Sequence, residues 1–474
     1  MLLIFQEMKK FYLTTAIDYI NDVIHLGHGY QKVIADVLAR YHRLLGEEVF
    51  FLTGADEHGF KAQEAARKAA VSPQAFADKI TTANKEQLKS LNVSYDRYIR
   101  TTDEDHQQMV QEFFKKVEKN GDIYLADFEG IYCSGCEEYK TESDLVDGHC
   151  PFHPRLPLQK LKEKNYFFAW SKYEDFLKSY LQENPSFVQP ESRRQEMLSF
   201  LEKGLEDISI SRQNISWGIP VPGDPKQTIY VWFDALINYL TGAPQGFWPA
   251  DLHLLGKDNT RWHALLWPAM LKSADFPLPE TVYAHGFISF GGEKISKSAG
   301  NLIRPKEVAE KFGSDGARYL LVSCKNLADD GEISWEKMAV VYNADLANGL
   351  GNLAARLIGL SRNCGWSSKA KWPNFLEVAS GNYREMMGRY QLREALASLK
   401  EEAAEIDRYL NQNEPWKIKD EEKLLSILAP AQEKFVRLFA LLEPFLPQSA
   451  AAVKKIFAQK NLEKAPLLFP KIER

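Results

Sequence analysis

Cysteine is scarce in this sequence, with five residues among 474, and no apolar run is long. So sparse and odd a set of cysteines argues against a disulfide framework and favours a reducing compartment. The apolar stretches fall short of the roughly 18 residues that cross a bilayer. Residues 1–7 lack the basic segment and cleavage site of a signal peptide. We therefore expect a cytoplasmic protein without membrane contact.

An excess of charge of either sign is also missing. The 59 basic and 64 acidic residues give a formal net charge of -5, and the hydrophobic fraction of 45% is ordinary for a globular protein. This charge neither announces nor excludes a nucleic-acid partner, because a basic stripe can lie on an acidic protein. The chain also has no internal repeat and no low-complexity segment.

Strand and helix patterns alternate in the first part of the chain. Residues 11–14 form a short β-prone run, and apolar residues then recur at helical spacing over 28–45, where Gly46 is expected to stop the helix. Residues 49–54 follow as an unbroken apolar strand. This succession predicts an α/β fold with a parallel sheet. The strand pattern resumes at 229–233 and 252–256.

The chain is too long for one hydrophobic core, so we expect several domains. Cysteines and histidines cluster in a segment that breaks the alternation, which indicates an inserted domain. After about residue 345 the strand pattern ends, and the periodicity predicts a helical bundle. The expected ranges are 1–119 and 226–310 for the two halves of the sheet domain, 120–225 for the insertion, 311–350 for a linker and 351–474 for the helical domain.

Two histidines lie three residues apart where the first strand and loop give way to the first helix. A helix N-terminus presents N–H groups and the positive end of its dipole, so it receives phosphate well. His25 and His28 could donate to phosphate oxygens as charge grows on them, and Gly27 would let a nucleotide approach the backbone. Taken alone, such a pair is more often made of surface or helix-capping histidines.

A second candidate element is the loop at residues 294–298. Lys294 and Lys297 flank Ser296 there, after Gly291 and Gly292. A mobile pair of lysines can cover the β- and γ-phosphates of a nucleotide and neutralise departing pyrophosphate. The alternative interpretation is a solvated basic loop. Together with the histidines, the loop predicts a phosphate site that is split between distant parts of the chain.

Four residues of the inserted segment have the spacing of metal ligands. Cys133 and Cys136 form one short hook, and Cys150 and His153 form a second. Three thiolates and one imidazole suit tetrahedral zinc, and four protein ligands leave no open position, so we expect one structural Zn2+ per chain. The first hook alone also fits a redox motif or two buried thiols. His149 is too close to Cys150 for such a hook.

The two phosphate elements resemble, in the right order, the HIGH and KMSKS signatures of class I aminoacyl-tRNA synthetases, with Leu26 for Ile and Ile295 for Met. Over essentially its whole length the chain is similar to the methionyl enzymes of that class, of the type with a single zinc knuckle at about 130–160. The matching stretches are 14–17, 54–59, 230–235, 256–258, 262–263 and 267–268.

This resemblance implies a Rossmann-type catalytic domain, a stem-contact region at 311–350 and an anticodon-binding helical domain. It also implies that L-methionine and ATP, accompanied by Mg2+, give methionyl-adenylate and pyrophosphate. The methionyl group would then pass to the 3′ end of tRNA(Met). No covalent enzyme intermediate is needed, because positioning and electrostatic stabilisation suffice for an in-line displacement.

The resemblance assigns residues to each substrate as well. Asp56, paired with Arg212, would hold the α-ammonium group, and Tyr239 and His263 would form hydrogen bonds near the sulfur. An aromatic, polarizable pocket suits a thioether, although single aromatics at these positions would otherwise be assigned to the core. The pocket positions hold Ile17, Trp232, Ala235, Tyr239, His263 and Trp267. The ATP positions hold His25, Gly27, His28, Lys257, Asp258, Lys294, Ser296 and Lys297, with Asp258 on the ribose.

Several positions depart from the family pattern. Ala16 stands where the family usually has Pro, and Asp18 stands where it usually has Tyr, which adds a charge near the expected substrate entrance. Asp407 replaces a common Asn in the helical domain. No Trp follows Trp416, although many relatives stack an anticodon base on a later Trp.

Arg408 and Asn411 lie near the end of a helix that matches the family's anticodon-binding domain. Both side chains could form hydrogen bonds with unstacked bases, and both are equally consistent with the surface of a helical bundle. Many relatives continue into a further tRNA-binding and dimerising domain beyond residues 467–471, whereas this sequence stops shortly after them. We therefore expect a monomer.

Two other interpretations stay open at this point. A nucleotidyltransferase for a cofactor precursor could share the phosphate signatures, but such enzymes are usually much smaller and lack a helical bundle. A non-catalytic tRNA-binding paralogue is disfavoured because His25, His28, Lys294 and Lys297 are all present.

Overall fold

The computed structural model describes residues 8–135, 138–140, 142–213, 215–294, 302–363, 370–459 and 467–473. Within these ranges all strands lie before residue 334, and the regular elements after that residue are helical. No helix in the described ranges is both long enough and apolar enough to cross a bilayer.

The strands succeed one another along the chain and form four sheets. They are β1 (Lys10–Thr15), β2 (Asp18–Tyr19), β3 (Glu48–Asp56), β4 (Arg97–Arg100), β5 (Ile123–Cys133), β6 (Glu138–Lys140), β7 (Gln159–Phe168), β8 (Val188–Gln189), β9 (Ile208–Ser209), β10 (Ser211–Arg212), β11 (Pro220–Val221), β12 (Asp224–Ile229), β13 (Leu252–Gly256), β14 (Val282–His285), β15 (Ile288–Phe290), β16 (Glu293–Lys294) and β17 (Gly331–Ile333).

The largest sheet is parallel throughout and has the order β2–β3–β1–β13–β14–β8, with β4 also paired to β3. Its central strands are buried on both faces, as a parallel sheet covered by helices requires. The strands predicted at 11–14, 49–54 and 252–256 are β1, β3 and β13. The predicted α/β fold is therefore confirmed.

The α-helices surround this sheet and then form the C-terminal part of the chain. They are α1 (Leu26–Leu44), α2 (Phe60–Lys68), α3 (Pro73–Ser90), α4 (Glu104–Lys119), α5 (Glu174–Glu183), α6 (Glu191–Leu201), α7 (Val231–Leu236), α8 (Asn238–Thr241), α9 (Trp267–Ser273), α10 (Pro305–Phe312), α11 (Ser314–Ser323), α12 (Trp335–Val341), α13 (Asn352–Asn363), α14 (Phe375–Val378), α15 (Asn382–Gly388), α16 (Leu392–Asn413), α17 (Glu421–Leu442) and α18 (Pro447–Phe457). Two π-helical segments, Trp262–Leu266 and Tyr342–Gly351, precede α9 and α13.

Helix α1 crosses from β1 to β3 and covers one face of the sheet. Its apolar residues recur every three or four positions, so Val33, Val37 and Leu38 are fully buried against the sheet. The helix ends at Leu44, and Gly46 then takes φ +81°, a left-handed conformation that glycine adopts without strain. The helix and its stop agree with the prediction for 28–46.

The strand predicted at 229–233 is wrong. Strand β12 ends at Ile229, and the next apolar run is the buried helix α7. A short apolar run fits a buried helix as well as a buried strand, and its periodicity cannot separate the two. β12 itself belongs to the small antiparallel sheet β10–β12–β11 and not to the parallel sheet.

Two further sheets lie outside the parallel one. The antiparallel sheet β6–β5–β7–β9 is built from residues of the predicted insertion, whereas β8, from the same segment, pairs with β14 of the parallel sheet. The hairpin β15–β16 leads to the loop at 294–298 and pairs with β17 in a small mixed sheet. The strand that precedes this loop therefore belongs to a small separate sheet and not to the parallel sheet.

The helical periodicity predicted after about residue 345 is confirmed, most clearly by α15, α16 and α17. Pro430 lies inside α17 without ending it. The apolar faces of α16 and α17 join the same buried cluster as α1 and α11, so the helical region and the parallel sheet share one core.

A buried ion pair lies where the sheet domain meets the helical region. Arg318 of α11 and Asp36 of α1 are both fully buried, and Arg318 Nη1 lies 2.6 Å from Asp36 Oδ2. Arg318 also donates hydrogen bonds to the carbonyl oxygens of Pro444 and Phe445, between α17 and α18, at 2.9 Å each. Burial would raise the pKa of Asp36, but the charges of Arg318 and Arg40 outweigh it and lower that pKa. One guanidinium thus joins three parts of the fold.

Replacing Arg318 with Met should lower the free energy of unfolding by about 1.5–3 kcal/mol, because the buried Asp36 carboxylate loses its fully buried cationic partner and keeps only Arg40. Urea denaturation followed by intrinsic fluorescence measures this. Since the folded-state pKa of Asp36 lies below its unfolded value near 4, the pair stabilises the fold above that pH and loses this contribution as pH falls. The difference between the two proteins should therefore shrink below about pH 4.

The matched control is Arg389→Met, which removes an ion pair between exposed side chains, Arg389 and Glu385. Exposed pairs contribute little, so this variant should change stability by less than about 0.5 kcal/mol. An equally small change in Arg318→Met would contradict the role given to the buried pair.

Candidate active site

The residues that come after the central parallel strands share one edge of the sheet, which we call the carboxyl edge: the carboxyl ends of β1, β3, β13 and β14. Ala16 follows β1, Asp56 ends β3, Lys257 follows β13 and Gly286 follows β14. In open α/β sheets, ligands bind outside this edge. The candidate residues from distant parts of the sequence thus meet where the fold places a ligand.

His25 and His28 cap the N-terminus of α1 through the same ring atom. His25 Nδ1 accepts a hydrogen bond from the backbone N–H of Gly27 at 3.0 Å, and His28 Nδ1 accepts one from the N–H of His25 at 3.2 Å. A neutral imidazole whose Nδ1 accepts must carry its proton on Nε2. Helix capping and anion binding are therefore compatible, because the cap fixes both rings as Nε2–H donors.

The surroundings of the two rings keep this arrangement in place. A Cβ at Gly27 would lie 2.9 Å from His25 Cε1, so the glycine makes room for the capping ring. Although 38% of the His28 side chain is exposed, desolvation in the cleft and the charge of Lys32 lower the pKa of His28 to about 3. His28 is therefore neutral at physiological pH.

Residues 303 and 304, which follow the 294–298 loop, form hydrogen bonds with residues 22–26 around His25. Ile303 O accepts a hydrogen bond from Leu26 N at 2.9 Å, and Arg304 donates to Ile24 O at 3.2 Å and to Asp22 Oδ1 at 3.0 Å. Residues 303 and 304 are thereby held beside the first half of the predicted phosphate site, and the approach of the second half stays a prediction. Lys294 ends β16, and its side chain, like Ser296 and Lys297, lies outside the described part of the chain.

Asp18 forms a buried ion pair with Lys32 of α1. Their atoms Oδ1 and Nζ are 2.7 Å apart, and the side chains are 7% and 0% exposed. Burial raises the pKa of Asp18 and lowers that of Lys32, and each partner opposes the shift of the other. The extra charge expected at the substrate entrance is therefore compensated by a lysine that sequence reasoning did not single out.

Tyr239 and His263 form a hydrogen-bonded pair in the predicted methionine pocket. His263 Nδ1 donates to the carbonyl oxygen of Asn259 at 2.9 Å, and burial lowers the pKa of His263 to about 4, so the ring is neutral and its Nε2 is an acceptor. The Tyr239 hydroxyl, 2.7 Å away, therefore donates to His263 Nε2. Both polar hydrogens of the pair are therefore donated within the protein, and the expected hydrogen bonds near the sulfur stay a prediction.

The other pocket candidates lie around this pair. Trp232 stacks on Trp262 with centroids 4.9 Å apart and meets His263 edge-on, while Trp267 packs against Tyr239. Ala235 is buried on α7. Ile17 is half-buried and packs against the apolar cluster that contains Tyr239 and Trp267. His263 lies in a π-helical segment, a distortion that is frequent at functional sites.

Asp56 and Arg212 are both buried near this pocket. The charges of Asp56 and Asp18 add to the effect of burial in raising the pKa of Tyr239, which places both carboxylates within electrostatic reach of the pocket. Arg212 Nη1 donates to Ser209 O and Ser211 O, and its guanidinium lies 4.2 Å from the centre of the Tyr230 ring. The pairing of Asp56 with Arg212 stays a prediction.

Sequence reasoning missed a buried cluster that supports the pocket. Asp234 of α7 accepts hydrogen bonds from His58 Nδ1 at 2.7 Å and from His106 Nε2 at 2.8 Å. The helix that carries Trp232 and Ala235 is thus tied to the loop after β3 and to α4. His58 and Asp234 fall within the stretches 54–59 and 230–235, whereas no local pattern marks His106.

The ATP candidates Lys257 and Asp258 lie just after β13. Lys257 Nζ binds both carboxylate oxygens of Asp330, at 2.6 and 2.8 Å, and lies 4.7 Å from the centre of the Phe287 ring. Asp258 is exposed. Both residues lie at the carboxyl edge, and their contact with ATP stays a prediction.

Cys133, Cys150 and His153 form a group that could hold a metal ion. Both sulfurs are 3.9 Å from His153 Nδ1, and all three atoms lie within 4.8 Å of one another. A Cβ at Gly135 would lie 2.4 Å from His153 Cγ, so the chain must have glycine where the two hooks meet. Cys136 lies outside the described residues.

The anticodon candidates lie on the exposed surface of α16 in separate contacts. Arg408 pairs with Glu401 at 2.9 Å. Asn411 and Asp407 both bind Arg356, whose guanidinium lies 5.2 Å from the centre of a Trp416 ring. Nothing in this arrangement tests their predicted contact with RNA.

Comparison with known proteins identifies the family of this chain. Residues 11–155 and 154–358 match the family model described as tRNA synthetases class I (M). The chain therefore belongs to the class I aminoacyl-tRNA synthetases.

The relatives narrow this class further. The chain is 40% identical to the methionine–tRNA ligase of Thermotoga maritima, with 96% of this chain and 76% of that protein covered. It is 39% identical to that of Rhizobium meliloti, with 96% and 92% covered. The methionyl-tRNA synthetase of Mycobacterium tuberculosis in complex with methionyl-adenylate superposes with a TM-score of 0.91 at 36% identity, covering 98% of this chain and 100% of that one. Within class I the chain belongs to the methionine–tRNA ligases, and it is an ATP-dependent enzyme.

Replacing Asp234 with Asn should weaken methionine binding by about 10-fold, a change of roughly 1.4 kcal/mol, while ATP binding changes less. The amide would set an N–H donor against one of the two histidine N–H groups and displace α7, which carries Trp232 and Ala235. Titration of methionine followed by tryptophan fluorescence measures the dissociation constant.

Asp224→Asn is the control, because Asp224 begins β12 and makes no contact with either histidine in the described structure. It should bind methionine as the unaltered protein does. Unchanged methionine binding in Asp234→Asn would show that the cluster does not support the pocket.

Proposed function

We propose that this chain joins L-methionine to tRNA(Met), with His25 and His28 at the phosphates and the Tyr239–His263 pair at the methionine side chain. Methionine and ATP react to methionyl-adenylate and pyrophosphate, and the methionyl group is then transferred to the 3′ end of the tRNA. The observation that carries this proposal is the pair of Nε2–H donors fixed at the N-terminus of α1, on the carboxyl edge.

The nucleotide half of the site acts by positioning and by electrostatics. The methionine carboxylate attacks the α-phosphorus of ATP, and pyrophosphate leaves with its negative charge. Neutral Nε2–H groups and the helix N-terminus stabilise the charge that grows on the phosphate oxygens. Lys257, Lys294 and Lys297 supply positive charge, Ser296 and Asp258 complete the nucleotide contacts, and Mg2+ accompanies ATP as its counter-ion.

The methionine half selects by shape and polarity. The Tyr239 hydroxyl donates its hydrogen to His263 Nε2, so the pair presents no strong hydrogen-bond donor to the methionine sulfur. This arrangement suits a thioether, which accepts hydrogen bonds only weakly. Trp232 and Trp267 supply aromatic surface for the side chain. Asp56 holds the ammonium group, together with Arg212.

We assign structural Zn2+ to the cluster of Cys133, Cys136, Cys150 and His153. In a tetrahedral zinc site, a sulfur ligand and a nitrogen ligand lie about 3.6 Å apart, and two sulfur ligands lie about 3.8 Å apart. The 3.9 Å separations between each sulfur and His153 Nδ1 fit such a site. His149 instead has its Nδ1 on Asp147 O, which supports His153 as the histidine ligand. The metal would stabilise the fold of the insertion and take no part in the reaction.

The helical region completes the proposed organisation. Residues 1–119 and 226–310 form the catalytic domain around the insertion at 120–225, and 311–350 leads to the helical domain at 351–474. Arg408 and Asn411 are the proposed contacts to anticodon bases, since both side chains are exposed and carry donors.

Pyrophosphate exchange into ATP, measured with each of the twenty amino acids, tests this function. We expect exchange with methionine alone. Lys297→Ala should lose at least about 100-fold in exchange rate, the scale of removing one group that stabilises transition-state charge, while methionine still binds.

Lys306→Ala is the control, because Lys306 is an exposed lysine on α10 that pairs only weakly with Glu310 at 3.9 Å. It should exchange normally. Exchange with an amino acid other than methionine would contradict the assigned substrate. A normal rate in Lys297→Ala would contradict the role of that lysine.

Cys150→Ser should remove bound zinc and lower the melting temperature, because a thiolate ligand of the closed site is lost. Metal content by mass spectrometry and a thermal melt measure both effects. Cys324→Ser is the matched control, because Cys324 lies at the C-terminal end of α11 with its thiol on Leu321 O. Full zinc content in Cys150→Ser would refute the assignment.

A further inference from the structure

The oxygen Oδ1 of Asp18 lies between a buried cation and a nucleotide-facing ring. It is 2.7 Å from Lys32 Nζ and 4.0 Å from His28 Nε2. His28 and Lys32 are four residues apart, so both project from the same face of α1. The backbone of Asp18 pairs with β3 beside Asp56, at the carboxyl edge. A carboxylate therefore lies directly beside the group proposed to hold phosphate.

Lys32 is built to neutralise this carboxylate. It is fully buried, and its ammonium group donates to Asp18 Oδ1, to Ala16 O at 3.0 Å and to Gln31 Oε1 at 2.8 Å. Three acceptors use all three ammonium hydrogens. Its charge therefore acts on the cleft through space, next to Asp18, and the ammonium group itself meets no substrate.

We propose that Lys32 is a positioning residue that compensates Asp18 and thereby sets the charge that ATP meets at His28. This inference rests on the proposed function. Without Lys32, a carboxylate would lie beside the triphosphate and repel it. With Lys32, the pair is neutral overall and the Nε2–H donors of His25 and His28 face an anion without a competing charge.

The pair should act on the two substrates with opposite signs. Asp18 pairs with Ala55 of β3, directly before Asp56, the residue proposed to hold the ammonium group of methionine. An uncompensated Asp18 would therefore repel the anionic nucleotide but would not repel the ammonium group of methionine. A general loss of structure would weaken both ligands together, so the two signs separate electrostatics from damage to the fold.

A charge-removal cycle tests this with Lys32→Met, Asp18→Asn and the double variant. Dissociation constants for ATP come from calorimetry, and those for methionine come from tryptophan fluorescence. Lys32→Met should bind ATP about 10-fold more weakly, the scale of one unit charge several ångströms away, while methionine binds no more weakly than before. The double variant should return to within about 3-fold for ATP, because the local charge is again zero.

Asp18→Asn keeps an acceptor for Lys32 and leaves the cation in place, so ATP should bind as tightly as before or more tightly. If Lys32→Met fails to fold, this variant and the double variant decide the question. Weaker ATP binding in Asp18→Asn, a double variant as weak as Lys32→Met, or a parallel loss of both ligands in Lys32→Met would overturn the inference.

Arg40→Met is the matched control, because it also breaks an ion pair on α1, the 2.7 Å contact with Asp36, but does so away from the cleft. Both dissociation constants should stay unchanged in this variant. Failure of the proposed function is read separately, as absence of methionine-dependent pyrophosphate exchange in the unaltered protein, since the binding measurements do not require turnover.

Discussion

Two charged side chains of helix α1 are completely removed from water, and each needs a partner because an unpaired buried charge costs several kcal/mol. Asp36 meets Arg318, which joins the helix to α11 and to the turn at residues 444–445. Lys32 meets Asp18, which joins the same helix to the carboxyl edge. Displacing the helix along its axis would separate Asp36 from Arg318 and Lys32 from Asp18. The place of His25 and His28 at its N-terminus is set by this constraint.

Backbone groups determine which ring nitrogen of each site histidine carries the proton, because an N–H can only donate a hydrogen bond and a carbonyl oxygen can only accept one. The N–H groups of His25 and Gly27 donate to Nδ1 atoms, so both rings carry their proton on Nε2. The carbonyl of Asn259 accepts from His263, so the Tyr239 proton is drawn to His263 Nε2. Under the proposed function, one end of the cleft offers ring N–H donors to phosphate, and the other offers a largely apolar surface to a thioether.

The elements of this fold that were predictable from the sequence are those determined by interactions between residues close together in the chain. The apolar strands β1, β3 and β13, the helix α1 and its stop at Gly46 were all predictable from periodicity and one glycine. The run after Ile229 was mispredicted as a strand, because an apolar stretch without clear periodicity fits a strand and a helix alike. The signatures at 25–28 and 294–298 pointed to phosphate, but not to the small sheet whose strand β16 leads into the second one.

The contacts that local pattern could not predict are long-range ones. In the sequence Lys32 looks like any helix residue, and only the fold brings Asp18 beside it. Likewise, no local pattern marks His106, and only the fold brings it to Asp234. The proton positions of His28 and His263 likewise depend on partners that only the folded chain brings near. Family resemblance supplied the pocket residues, but not the direction of the hydrogen bond between Tyr239 and His263.

The most direct measurement is a crystal structure of this protein with methionine and a non-hydrolysable ATP analogue. Our account predicts phosphate oxygens within about 3.2 Å of His25 Nε2 and His28 Nε2, with both Nδ1 atoms still on the backbone of α1. It also predicts the thioether between Trp232 and the Tyr239–His263 pair. A nucleotide bound away from the N-terminus of α1, or phosphate contacts made through Nδ1, would contradict it.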